Sequence, residues 1–250
     1  MNQPTRLPGA ALAQELTDAG RADGAHTPFD LVLEAGRRGE LDEAAYYRLL
    51  GRLWVLKRLM YYVYGGWAQG LNVNEYPPSV DYLLSKQLYD DSTHEMVLVD
   101  EILRRGLAPT QRAVFRHPNG RFVIASRIGH FVFTLRALAN YAHNVRMAAL
   151  NLGAKLVELA WLERFAAQFP DPALRALFGG LIAETASHVQ MGRFVVERFV
   201  EKPVDQELCR RTAAIARRDY LAVLDEIGGQ VLGIQEVTPA GHIEIPRGLD

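Results

Sequence analysis

Apolar residues recur at helical spacing along most of the chain, and strand-like alternation is confined to its last stretch. Between Leu41 and Leu71, the residues Leu49, Leu53, Leu56, Met60, Val63 and Trp67 share one face, which predicts a single long helix. Pro77-Pro78-Ser79 starts a second, running to Arg105-Gly106, where basic residues and a glycine close it. A third helix is predicted from about Ser126 to Gln168, a fourth from Pro172 to Glu201, and a fifth from Asp205 to Gly228-Gly229. Ahead of these, Thr27-Pro28 caps a short helix to about Gly36. Residues 1–26 read as a mobile tail with a short helix over Ala10–Leu16. Residues 229–250, in which Val231, Ile234, Val237, Ile243 and Ile245 alternate with polar neighbours, read as an extended C-terminal strap. The expected organisation is therefore a tail over 1–26, a helical bundle over 27–228 and the strap.

The connections constrain the topology. Short turns join the first long helix to the second and the third to the fourth, giving two antiparallel hairpins. Between the hairpins lies an irregular linker, 107–125, with Pro109 and a Pro118-Asn119-Gly120 turn. Extended, such a linker reaches roughly 60 Å, whereas a long helix of this kind measures roughly 42 Å. It can thus run the length of a bundle. The expected fold is all-α, a four-helix bundle with one long crossover, a short N-terminal helix and a fifth helix behind.

Composition narrows the function classes. The chain has 250 residues, 49% of them hydrophobic, enough for a sizeable core. Lys+Arg number 28 against Asp+Glu 29, so charge gives no footprint for nucleic acid or a membrane surface. No uninterrupted apolar stretch is long enough to span a bilayer, and Met1 to Gly24 lacks the apolar run of a signal peptide. The single Cys209 excludes an intramolecular disulfide and fits a cytoplasmic location. A Ser/His/Asp hydrolase pattern, a Gly-rich phosphate loop and a Cys-based zinc pattern are absent.

Two short segments carry the candidate chemistry: Asp91-Ser-Thr-His94 and Thr185-Ala-Ser-His188. A carboxylate three residues before a histidine puts both on one helix face, the spacing that two-metal bundles use twice as Glu-x-x-His. The first copy is nearly intact; the second has Thr185 in place of its acid. Asp91 aligns with Leu84, Leu88, Leu98 and Ile102 and faces the core, with His94 at the stripe's edge and Asp90 outside it, expected in solvent. Glu158 shares a stripe with Asn151, Ala154 and Leu162, and His188 borders the stripe centred on Thr185, with Glu184 roughly 100° away. Folding the first hairpin brings Asp91 level with Lys57, Tyr61, Tyr62 and Tyr64. Buried Asp91, His94, Glu158 and His188 at one depth are costly unless they are paired or ligate a metal. Two carboxylates and two imidazoles suit Fe, Mn or Zn, as one ion or two, with iron or manganese expected and Tyr61 or Glu184 completing the shell. Without metal, the Lys57 ammonium could neutralise Asp91 and Glu158 instead.

Lys57-Arg-Leu-Met-Tyr-Tyr-Val-Tyr-Gly-Gly-Trp67, Asn74-Glu-Tyr-Pro-Pro78, Tyr89-Asp-Asp-Ser-Thr-His94, and Asp171-Pro-Ala-Leu-Arg-Ala-Leu-Phe178 leading into Glu184-Thr-Ala-Ser-His188 resemble the phenylacetyl-CoA epoxidase subunits of the ferritin-like superfamily, over roughly residues 40–200. The resemblance implies either of two roles. One is a di-iron oxygenase or oxidase activating O2 on a small organic or CoA-linked substrate, with Asp91, His94 and His188 matching ligand positions. The other is a paralogous, metal-free subunit that supports such an enzyme. By ungapped count Tyr61 stands near the first-helix Glu, and Asn151-Leu-Gly153 marks a place where some relatives keep one. The expectation leans to the metal-dependent oxygenase, with Tyr61 and Lys57 as candidate catalytic residues and a homodimer or paralogous ferritin-like subunit as partner.

Overall fold

The computed structural model describes residues 8–69 and 76–236, apart from the side chains of Tyr64, Ala68 and Gln69. Among the described residues all regular structure is helical, and no helix is long and apolar enough to cross a membrane. Two long antiparallel hairpins frame the interior: α3 (Glu43–Gln69) with α4 (Pro78–Arg104), and α8 (Lys155–Gln168) with α9 (Pro172–Phe199). Pro78 and Pro172 occupy first-turn positions, and the Asp171 carboxylate accepts from the amides of Ala173 and Leu174. Gly106, at φ +69°, ends α4 in the left-handed region.

Three elements differ from the sequence-based expectation. The N-terminal segment is no free tail where it is described: α1 (Ala10–Gly24) buries Leu12, Ala13, Leu16, Gly20 and Gly24. A Cβ on Gly20 would lie 2.7 Å from Leu156 Cδ1, and one on Gly24 2.8 Å from the Ala160 Cβ. The two glycines therefore let α1 settle directly onto α8. A short helix does follow, α2 (Asp30–Arg37), entered through a turn in which the Asp30 carboxylate accepts from the Thr27 amide.

The expected third helix is interrupted. α5 (Gln111–Arg116) and a 3₁₀ turn at Pro118–Gly120 fold the linker against the first half of α3, where Phe115 stacks on Trp54 and His117 on Tyr47. α6 (Arg127–Ala137) then makes the lengthwise crossing: its first amide bonds Glu226, Thr134 bonds Asp219, and its end reaches the Trp67 end of α3. After a 3₁₀ turn (Leu138–Asn140) the chain reverses into α7 (His143–Met147), a π-helical segment (Ala148–Ala154) and α8. The break is held by Arg146. Its guanidinium donates to the carbonyls of Leu138 (3.2 Å), Ala139, Tyr141 (2.8 Å) and Trp67 (3.1 Å), satisfying the loose end of α6.

α10 (Pro203–Val231) runs the length of the molecule, packing on α3, α6 and the π-helical segment. It continues two residues past Gly229, so Val231, expected in the strap, is the last helical residue, and turns follow to Gln235. The rest of the strap, 237–250, lies outside the described residues, as do 1–7 of the tail and the 70–75 turn.

Candidate functional site

Inside the two hairpins the polar side chains converge at one depth. Asp91 (α4) and Glu158 (α8) are bridged by two ammonium groups. Lys57 (α3) donates to Asp91 Oδ1 at 3.1 Å and to Glu158 Oε1. Lys155, at the start of α8, donates to Asp91 Oδ1 at 2.9 Å and lies 3.0 Å from Glu158 Oε2. All four are buried. Two positive and two negative charges close a neutral quartet that ties α3, α4 and α8 together. Burial pushes both carboxyls up, but Lys155 and Lys57 outweigh it. Asp91 is held well below its ordinary value and Glu158 down to about 2. Burial and the nearby Glu158 carboxylate raise the Tyr220 phenol well above its ordinary range, so it stays neutral.

Beside the quartet, α4 and α9 exchange two histidine–carboxylate pairs. His94 Nε2 lies 2.6 Å from Glu184 Oε2, and His188 Nε2 lies 3.0 Å from Asp90 Oδ2. Lys86 also donates to Asp90, at 2.6 Å. His94 Nδ1 is 3.5 Å from Asp91 Oδ1, which joins the two halves of the cluster. His188 is lowered to about 4, first by burial and then by Lys155, so it is neutral at pH 7. As a neutral imidazole it can donate from Nε2 to the Asp90 carboxylate, which leaves Nδ1 without a partner. One level further along, Gln87 and Asn151 exchange amide hydrogen bonds of 3.0 and 3.1 Å. Asn151 belongs to the π-helical segment, whose local unwinding ends where Lys155 begins α8.

Of the residues singled out from the sequence, Asp91, His94, Glu158 and His188 do face one another, Lys57 bridges the two acids, and Glu184 reaches His94. Thr185 is buried at the centre of its stripe. Tyr61 does not join them: it is half-exposed and edge-on to Tyr62. Asp90, expected in solvent, is buried because α9 packs on that flank of α4 and widens its interior arc beyond one stripe. Sequence pattern alone does not single out Lys155, although its place three residues before Glu158 on the same face is a usable signal.

Could these residues hold a metal? Asp91 Oδ2, His94 Nδ1, His188 Nδ1 and Thr185 Oγ1 are buried with no hydrogen-bond partner, and the first three are donor atoms a metal could use. Against them stand the two ammonium groups. They take Glu158 and the other Asp91 oxygen, and they already balance both carboxylate charges. A divalent ion added there would sit against both ammonium groups in a low-dielectric interior, with only Glu184, which is part-exposed and already paired with His94, left to offset its charge. Among the described residues no group of three or more His, Cys, Asp or Glu side chains is arranged to hold a metal ion. The donor set does not fit a carboxylate-bridged ion. The cavity touching Lys57, Lys155, Glu158 and Tyr220 has a volume of ≈ 10 Å³, room for about one water molecule.

In comparisons with known proteins the chain matches no family model, no curated protein and no solved structure.

Proposed function

We propose that this chain is a metal-free ferritin-like bundle acting as a structural or accessory subunit of an oxygenase assembly of the phenylacetyl-CoA epoxidase type, in the cytoplasm. One observation carries the reading: Lys57 and Lys155 together bridge Asp91 and Glu158, supplying from side chains the positive charge a metal pair supplies in the catalytic members. The ferritin-like arrangement is part of the same proposal. Support for it comes from α3–α4 and α8–α9 pairing as antiparallel hairpins around the cluster, with Lys57, Asp91, Glu158 and His188 each drawn from a different long helix. The oxygenase reading would need O2, an organic substrate and iron or manganese in this interior. The neutral quartet and the water-sized cavity both weigh against it.

On this reading the cluster is a cross-link. It fixes the depth and rotation of α3, α4 and α8, because moving any of them strands a buried charge. The test is metal analysis of the full chain after anaerobic loading with Fe(II) or Mn(II), alongside Asp91→Asn. Metal far below one ion per chain, unchanged in the variant, is expected. One or two ions per chain, lost on substitution, would restore the oxygenase reading.

A further inference from the structure

We propose that the outer face of the α3–α4 hairpin is the interface of a two-fold homodimer, with Tyr89 on the axis. Facing away from the Asp91 stripe, α4 exposes Tyr82 (68%), Tyr89 (70%) and Met96 (60%). They are spaced seven residues apart, and seven residues drift only about 20° on a straight helix. The three therefore form one stripe, with the small Ser85 and Ser92 between them. Lone exposed apolar side chains are ordinary, but a heptad-spaced row of large ones marks a contact surface. Pairing of Lys57 with Asp91, and of Trp54 and Arg58 with Glu95, sets the hairpin's register. It brings Tyr62 (58% exposed) level with Lys86, between Tyr82 and Tyr89.

The spacing selects a second copy as the occupant. Tyr82 and Met96 are equidistant from Tyr89, so two α4 helices laid antiparallel about Tyr89 place each Tyr82 on the other copy's Met96, a sulfur–aromatic pairing. Near the axis a two-fold brings like groups together. Within one turn of Tyr89 the outward side chains are Ser85, Lys86, Ser92 and Thr93, and the lone charge among them, Lys86, is neutralised by Asp90. No like-charge repulsion opposes the pairing. The four large side chains offer on the order of 500 Å² per copy, about 1,000 Å² for the pair, the lower bound for a specific interface. The inference does not depend on whether the ion cluster excludes metal.

The test uses the full chain in a dilution series by size-exclusion chromatography with light scattering. The wild type should be dimeric at micromolar concentration. Tyr89→Glu should raise the dimer dissociation constant at least ~30-fold while leaving the helical circular dichroism unchanged. Tyr89→Cys should cross-link to itself under mild oxidation, whereas Leu31→Cys, exposed on α2, should not; the native Cys209 is buried and cannot compete. A chain that stays monomeric throughout, or a dimer that neither forms the residue-89 disulfide nor weakens in Tyr89→Glu, overturns the proposal.

Discussion

Lys155→Met removes one of the two buried ammonium groups and keeps most of the side-chain volume, so its effect is mainly electrostatic. In the wild type, Asp91 and Glu158 share Lys57 and Lys155 with no net charge. In the variant they share Lys57 alone, leaving one excess negative charge among fully buried groups. Removing one partner of a buried ion pair costs about 3–5 kcal/mol, and the remaining Lys57 argues for the lower end. For a chain of this size each kcal/mol moves Tm by about 2–4 °C, so a fall of roughly 6–12 °C is expected at pH 7. Two further signatures separate this from lost packing. The deficit should shrink towards pH 5, because the variant can protonate a carboxyl, and because His188, though still held down by burial, no longer faces Lys155 and takes up a proton more readily. Adding Glu158→Gln should recover most of the loss, since Lys57 and Asp91 then balance. Calorimetry on wild type, Lys155→Met and the double variant across pH reads all three effects. A loss under about 1 kcal/mol at pH 7, with no pH dependence and no rescue, would refute buried charge balance as the organising feature.

Other predictions rest on separate parts of the molecule. His143, buried beside Arg146, is lowered from 6.5 to about 4, and His188 moves the same way. Both must stay neutral in the fold, so their contribution is complete above pH 6.5 and is lost as pH falls towards 4. For His143 alone this is about 3 kcal/mol, and His143→Phe should flatten that part of the pH–stability profile. Asp91 and Glu158, held low, extend the acid loss from about pH 4.5 down to about 2. Arg146→Met leaves the carbonyls of Leu138, Ala139, Tyr141 and Trp67 without their donor, and should cost about 3 kcal/mol or more in chemical denaturation. Gly20→Val drives a side chain into Leu156 and the Leu152 carbonyl and should undock α1, seen as faster proteolysis within residues 10–24 while the core melts as before.

How far the sequence revealed this depended on what each residue answers to. Stripes of period 3.6 were enough to bring Asp91, His94, Glu158 and His188 to one depth, because an inward-facing acid between leucines has few places to go. The damaged second motif was equally visible in Thr185. Pattern failed where tertiary packing decides. The α6–α7 reversal lacks glycine and proline: residues 138–143 read Leu-Ala-Asn-Tyr-Ala-His, and the break is held from outside by Arg146. Asp90 is interior only because α9 covers a second flank of α4. Lysine is so commonly solvated that Lys155 carries no mark of burial in the sequence, yet with Lys57 it changes the meaning of the acids it touches. The docking of α1 was hidden in its glycines, which pass for tail composition until a partner helix lies against them.

The central claim is that lysine nitrogens stand between Asp91 and Glu158 in place of metal. A crystal of the full chain loaded anaerobically with Fe(II), with diffraction recorded on both sides of the iron absorption edge, tests it most directly. The account predicts continuous density from Lys57 and Lys155 to both carboxylates and no anomalous peak near Asp91, His94 or His188. An iron peak ligated by those residues, with either lysine swung away, would contradict it.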